Sequence, residues 1–181
     1  KYVSLGMNPN SIHVVGHSWY KSLSFNILRF DLNDILVISK CVWPIRVDST
    51  DRRGDSSASL LYLLSIQTVL KKIGVKKVKV RFHPGEINDG YFKFLDPDFF
   101  DIDRNNLQTS LGKASLVIGP TSSVFIDAIY HGVNYLVYEP LLTLNKDLFE
   151  NPIVFPFDGS DERIVVAYNE EQLLEFLKEK R

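Results

Sequence analysis

The feature that most constrains this chain is a repeated alternation of two hydrophobic periods. Short apolar runs rich in β-branched residues are separated by stretches with helical spacing. Residues 34–39 (DILVIS) read as a strand buried on both faces. Leu60, Leu64, Ile66, Leu70 and Ile73 then keep helical spacing, and Gly74 stops that helix. Residues 76–82 (KKVKVRF) alternate polar with apolar, as a strand does. Asp103-Arg104-Asn105-Asn106 opens a helix that should run to about Lys113, and residues 115–118 form the next strand. Residues 122–131 are apolar on most sides, which predicts a deeply buried helix ended by Gly132. Strands follow at 133–138 and 164–167. Asn169 with Gln172 three residues on makes a capping box for a last helix carrying Leu173, Phe176 and Leu177. Strands alternating with helices predict an α/β fold: a Rossmann-like parallel sheet with helices on both faces.

The start is different. Residues 3–6 look like a helix tail ending at glycine, Asn8-Pro9-Asn10 is a turn, and 11–16 (SIHVVG) is a short strand. Residues 17–33 read as a linker with a short helix. We therefore place the end of a preceding domain and its linker at 1–33, and the Rossmann-like domain at 34–181. Residues 46–57 form a long polar loop, of the kind that often serves function.

Composition narrows the function. With 21 basic and 22 acidic side chains the net charge is −1, which gives no global case for nucleic acid or an anionic membrane. The single cysteine, Cys41, can neither close an internal disulfide nor found a cysteine-based zinc site. No apolar run reaches the ~18 residues of a membrane span, and no signal peptide is seen.

Open α/β sheets bind ligands outside the carboxyl ends of their strands. The candidates are therefore the residues that follow each strand. Gly119-Pro120-Thr121-Ser122-Ser123 joins a strand to a helix. Gly119 would allow a sharp turn. The hydroxyls of Thr121, Ser122 and Ser123, the first free N–H groups and the helix dipole would converge on an anion, most naturally a phosphate. Plain N-capping is the competing account. No Gly-Lys-Ser/Thr follows, so this is not a P-loop. His83-Pro84-Gly85-Glu86 leaves another strand. There His83 can donate to a phosphate oxygen or act as an acid toward a leaving group, unless it only caps a turn. Ser39 and Lys40 end the first strand, and Lys40 can meet a phosphate or remain a surface lysine. Glu139, before Pro140, can accept ribose hydroxyls or be a solvated carboxylate.

Other clusters carry less. Lys71, Lys72, Lys76, Lys77, Lys79 and Arg81 form a basic run that could touch acidic headgroups. It reads better as a helix end and one exposed strand face. His13, His17 and His131 lack metal-ligand spacing. The acid pairs Asp96/Asp98 and Asp101/Asp103 fall in what reads as a loop. Asp127 sits one turn past Ser123.

The order of these motifs resembles the donor-binding C-terminal domain of GT-B glycosyltransferases. It is most similar to bacterial enzymes using cytidine-activated donors: sialyltransferases and polysialyltransferases, capsule Kdo transferases and CDP-glycerol polymerases. His83-Pro84 resembles their HP motif and Ser122-Ser123 their serine motif. Residues 5–16 (LGMNPNSIHVVG) resemble the segment closing their N-terminal domain. The resemblance implies that His83 and the serines bind the donor's cytidine and phosphate, that His83 assists the departing CMP, and that transfer is inverting and needs no metal or further cofactor. It implies partners: a nucleotide-sugar donor, and a glycan or lipid-linked acceptor held by an N-terminal domain with an acidic-acidic-Gly motif that supplies the general base. Asp89-Gly90 resembles the tail of that motif but follows the HP motif, so the role is not carried over. The chain begins at Lys1, mid-protein in character. The expectation is a C-terminal half, cytoplasmic or at the inner face of the membrane, that binds nucleotide but transfers nothing alone. Two alternatives stand beside it. One is a UDP-sugar transferase or sugar-nucleotide epimerase on the same fold. The other is a non-catalytic nucleotide-binding module with a flavodoxin-like sheet.

Overall fold

The structure is a computed structural model that describes Gly6, residues 8–11, 31–40, 56–86, 90–140 and 157–179. Among these, β1 (Ile35–Ile38), α1 (Ser56–Lys72), β2 (Val78–Arg81), β3 (Phe100–Ile102), α2 (Leu107–Leu111), β4 (Leu116–Gly119), α3 (Val124–Tyr130), β5 (Asn134–Tyr138), β6 (Val166–Ala167) and α4 (Glu170–Glu179) follow in order. The strands form one six-stranded sheet in the order β3-β2-β1-β4-β5-β6. Every pairing is parallel. The α/β, Rossmann-like fold read from the sequence is the fold observed.

The sheet divides the core in two. On one face α1 and α4 cover the sheet, with Tyr62, Leu63, Ile66, Val69 and Leu173 packed on Val37, Val80 and Ile118. On the other face α2 and α3 bring Leu111, Phe125 and Ala128 against Leu36, Val117 and Val137. β1 and β4 are buried at every residue, as apolar runs covered on both sides must be. β2 alternates instead: Val78 and Val80 are buried while Lys79 and Arg81 are half-exposed. The reason is that α2 has only five residues and the face of β2 opposite α1 is left partly open. The basic run is thus a helix end at Lys71 and Lys72, an exposed lead-in at Lys76 and Lys77, and a half-exposed strand face at Lys79 and Arg81.

Several expectations need correction. The acid pairs do not lie in a simple loop: residues 100–102 form β3, an edge strand paired with β2. Asp96 accepts from Lys71 at 2.8 Å and Asp103 from Arg81 at 3.0 Å, so two of those acids hold the protein's own cations. α3 is shorter than 122–131, and only Phe125 and Ala128 of it are fully buried. Its outer side carries Tyr130, which is 54% exposed. α2 stops at Leu111, two residues short of Lys113. Asn8-Pro9-Asn10 is a turn as expected, closed by the Ser11 N–H on the Asn8 carbonyl at 3.0 Å. That turn is a 3-10 helix reaching Ser11. The helix tail before Gly6, the rest of the 11–16 strand, most of the linker, Cys41, Asp89 and the polar loop before Ser56 lie outside the described residues. No helix among the described residues is long and apolar enough to cross a membrane.

The capping box at the last helix is present. The Gln172 N–H donates to Asn169 Oδ1 at 2.9 Å, and Gln172 Oε1 accepts the Tyr168 N–H at 2.8 Å. The return bond thus reaches one residue further back than the usual reciprocal pair.

Candidate functional site

In this strand order the chain runs outward from β1 to β2 and β3, then crosses back to β4 on the other side of β1. The crevice between the carboxyl ends of β1 and β4 is therefore the topological switch point, where open α/β sheets take ligands. The register levels these ends. Ile38 lies opposite Arg81, Val37 opposite Ile118, and Gly119 opposite Val137. Ser39, Lys40, His83, Thr121 and Glu139 therefore emerge along one edge.

Two networks fill that edge. In the first, Ser39 Oγ donates to Glu86 Oε2, and the His83 backbone N–H donates to both Ser39 Oγ at 2.8 Å and Glu86 Oε2 at 2.9 Å. Glu86 is 1% exposed. It stands in the single turn Pro84–Glu86, where its N–H donates to the His83 carbonyl at 2.8 Å. The buried carboxylate therefore fixes the backbone where β2 exits. His83 itself is exposed above it. Glu86 serves as a buried anchor rather than a group facing a ligand.

In the second network, Glu139 holds two partners at once. Its Oε1 accepts the Thr121 N–H at 2.5 Å, and its Oε2 accepts from Lys40 Nζ. The side chains of Lys40 and Glu139 are only 13% and 7% exposed, so this is a largely desolvated ion pair. It is neither the surface lysine nor the solvated carboxylate of the competing accounts. Nor does Glu139 hold out free oxygens to a ribose in this arrangement. Lys40 is also tied at its carbonyl, which accepts from Ser59 Oγ at 2.6 Å.

The 119–123 loop differs in detail from its sequence reading. Gly119 has no positive φ. It is glycine for lack of space: a Cβ there would lie 2.2 Å from Tyr135 Oη and 3.0 Å from Ile38 Cβ. Tyr135 crosses beneath the loop and its hydroxyl donates to the Pro120 carbonyl at 2.7 Å. Burial, followed by the charge of Glu139, pushes the Tyr135 phenol far up, so it stays a donor. Ser122 Oγ accepts the Val124 N–H at 3.2 Å, whereas Ser123 occupies the cap position without a side-chain bond. The three hydroxyls thus do not act alike. Ser122 supports the helix start, Ser123 is exposed, and Thr121 Oγ1 is buried with no partner among the described residues.

Ser59 and Tyr62 are missed by the motif reading. Both lie near the start of α1, which in this fold begins at the ligand-binding edge. The serine-rich opening of that helix is the signal that could have found Ser59. Tyr62 looks like any core aromatic. Its ring lies 5.5 Å from that of Tyr138, whose hydroxyl meets Ser65 Oγ.

A cavity of about 160 Å³ opens at the opposite, amino end of the sheet, between Asp34, Lys77, Lys79 and Lys113. It includes none of the candidate residues. Among the described residues no group of three or more His, Cys, Asp or Glu could hold a metal. No protein-family model and no curated protein matches the chain.

Proposed function

We propose that the chain is the donor-binding domain of a GT-B glycosyltransferase that takes a cytidine-activated sugar, such as sialic acid or Kdo, for a bacterial surface polysaccharide or lipooligosaccharide. One observation carries this reading: Ser39, Lys40, His83, Thr121 and Glu139 meet at the switch point of a parallel sheet. A nucleotide's phosphate there meets Lys40 and the donors of the 119–123 loop. These stabilise the charge that develops on departing CMP, as preorganised donors do. His83 sits on a backbone held by Ser39 and Glu86. Its exposed imidazole serves as a donor or acid toward the leaving phosphate. The acceptor and the general base belong to the N-terminal domain that the resemblance implies, so this chain alone catalyses no transfer.

The flavodoxin-like alternative fits less well. That order places β1 between β2 and β3, whereas here β1 lies between β2 and β4 with β3 at the far edge. The UDP-sugar alternative shares the fold and is separated by ligand. Calorimetric titration with CMP, CDP, UDP and GDP should show binding of the cytidine nucleotides. Binding of UDP without CMP replaces the cytidine assignment. His83→Ala and Ser123→Ala should each weaken CMP binding, and unchanged affinity in both removes the site.

A further inference from the structure

The two best phosphate donors at the switch point are already engaged by an anion. Lys40 Nζ and the Thr121 N–H both bind the carboxylate of Glu139, one oxygen each. A carboxylate bridging an ammonium and a backbone N–H reproduces how two phosphoryl oxygens would be held. This cradle does not depend on a helix terminus. α3 has seven residues, and Thr121 precedes its cap.

We propose that Lys40 and the Thr121 N–H form an anion subsite that the chain closes with its own Glu139, and that a phosphoryl group binds there by displacing that carboxylate. The proposal rests on the nucleotide-binding reading but changes the role of Glu139 from ligand contact to competitor.

Two buried hydroxyls support a second arrangement at this edge. Among the described residues Thr121 Oγ1 and Tyr62 Oη have no hydrogen-bond partner, and Tyr62 is 0% exposed. Leaving such a group unpaired is costly, so each marks a place where another arrangement would supply an oxygen. Thr121 Oγ1 is on the residue whose N–H holds the carboxylate, and is placed for a phosphoryl oxygen. Tyr62 packs on Tyr138, the residue before Glu139. Burial, and then the charges of Tyr135, Glu139, Tyr138 and Glu86, hold its phenol protonated. It therefore remains a buried donor on the α1 face of the sheet.

The test uses inorganic phosphate as probe, because phosphate has no ribose to complicate the sign. Glu139→Gln keeps an oxygen for the Thr121 N–H and removes the charge that occupies Lys40. It should bind phosphate roughly tenfold more tightly than the parent chain. Lys40→Ala should lose phosphate binding. Phosphate added to the unaltered chain should move the Thr121 amide resonance, a readout that remains if Glu139→Gln fails to fold. Equal or weaker phosphate binding by Glu139→Gln overturns displacement, as does a Thr121 amide that stays still while phosphate binds. If the parent chain binds CMP and Glu139→Gln gains nothing for phosphate, displacement fails and the nucleotide reading stands. If neither protein binds CMP while Glu139→Gln still gains phosphate affinity, the subsite stands and the nucleotide reading fails.

Discussion

At the scale of single residues, charge and space decide more than residue type does. Gly119 shows the role of space. Its substitution by alanine would drive a methyl into the Tyr135 ring, whose Cζ lies 2.8 Å from the Cβ position. We expect Gly119→Ala to destabilise the chain by about 1–3 kcal/mol, measured by urea denaturation, because Tyr135 must shift and surrender its bond to Pro120. Tyr135→Phe removes the nearer of the two clashing atoms. Adding it to Gly119→Ala should recover part of the loss, and strict additivity of the two changes would refute the steric explanation. Asp103 shows the role of charge. Burial pushes its carboxyl up, but hydrogen bonds from Ser110, Arg81 and Asn105 outweigh that and hold it below its ordinary value. A carboxyl depressed in the folded state stabilises the fold above its unfolded value of ~3.9, and that contribution fades as pH falls through the folded value. Asp103→Asn should therefore lower Tm near neutral pH, and its gap from the parent chain should close in acid. A gap independent of pH would show that shape and neutral hydrogen bonding, not the ionised carboxylate, are what Asp103 contributes.

At the scale of elements, legibility followed burial. β1, β4 and β5 are covered on both faces, so they had to be apolar runs, and the sequence displayed them. β3 was not visible because it is a three-residue edge strand with Asp101 in the middle. Such a strand is defined by its pairing with β2, which no local pattern encodes. The site divides in the same way. Ser39, Lys40, His83, Thr121 and Glu139 follow strands, so topology alone brings them together. The division of labour among Thr121, Ser122 and Ser123 depends on where α3 starts, and helix boundaries are weakly encoded. The engagement of Lys40 by Glu139 links strands that are far apart in sequence and was equally invisible. The caps make a quantitative comparison possible. Asn169 Oδ1 accepts the Gln172 N–H and Ser122 Oγ accepts the Val124 N–H, whereas the Ser123 side chain makes no cap bond. Asn169→Ala should cost about 0.5–2 kcal/mol in thermal or urea unfolding. Ser122→Ala should cost a smaller amount, since its bond is longer, and Ser123→Ala almost none. A Ser123→Ala loss as large as that at Asn169 would mean the exposed hydroxyl has a structural role not seen in these contacts.

At the scale of the whole molecule, the sheet has two unlike ends. The amino end opens onto a cavity lined by lysines and aspartates for which no ion pair is made among the described residues. The carboxyl end closes over a desolvated ion pair, a buried carboxylate and two hydroxyls that are unpaired among the described residues. An isolated domain gains nothing from leaving buried donors unpaired, whereas a domain that binds an anion there recovers that cost on binding. Ligand should consequently stabilise the whole fold and not only order the edge. Binding to the native state adds RT ln(1 + [L]/Kd), about 2.7 kcal/mol at a ligand concentration a hundred times Kd. For a chain of this length roughly 2–4 °C accompanies each kcal/mol, so saturating CMP should raise Tm by about 5–10 °C. The increase should be lost in Lys40→Ala, whose missing ammonium belongs to the carboxyl edge. It should persist in Lys113→Ala, whose ammonium lines the cavity at the other end. Differential scanning calorimetry of the three proteins, with and without CMP, makes the comparison. A shift abolished by Lys113→Ala and kept in Lys40→Ala would move the nucleotide site to the amino end of the sheet. It would also separate this protein from the rule that parallel sheets bind at their carboxyl edge.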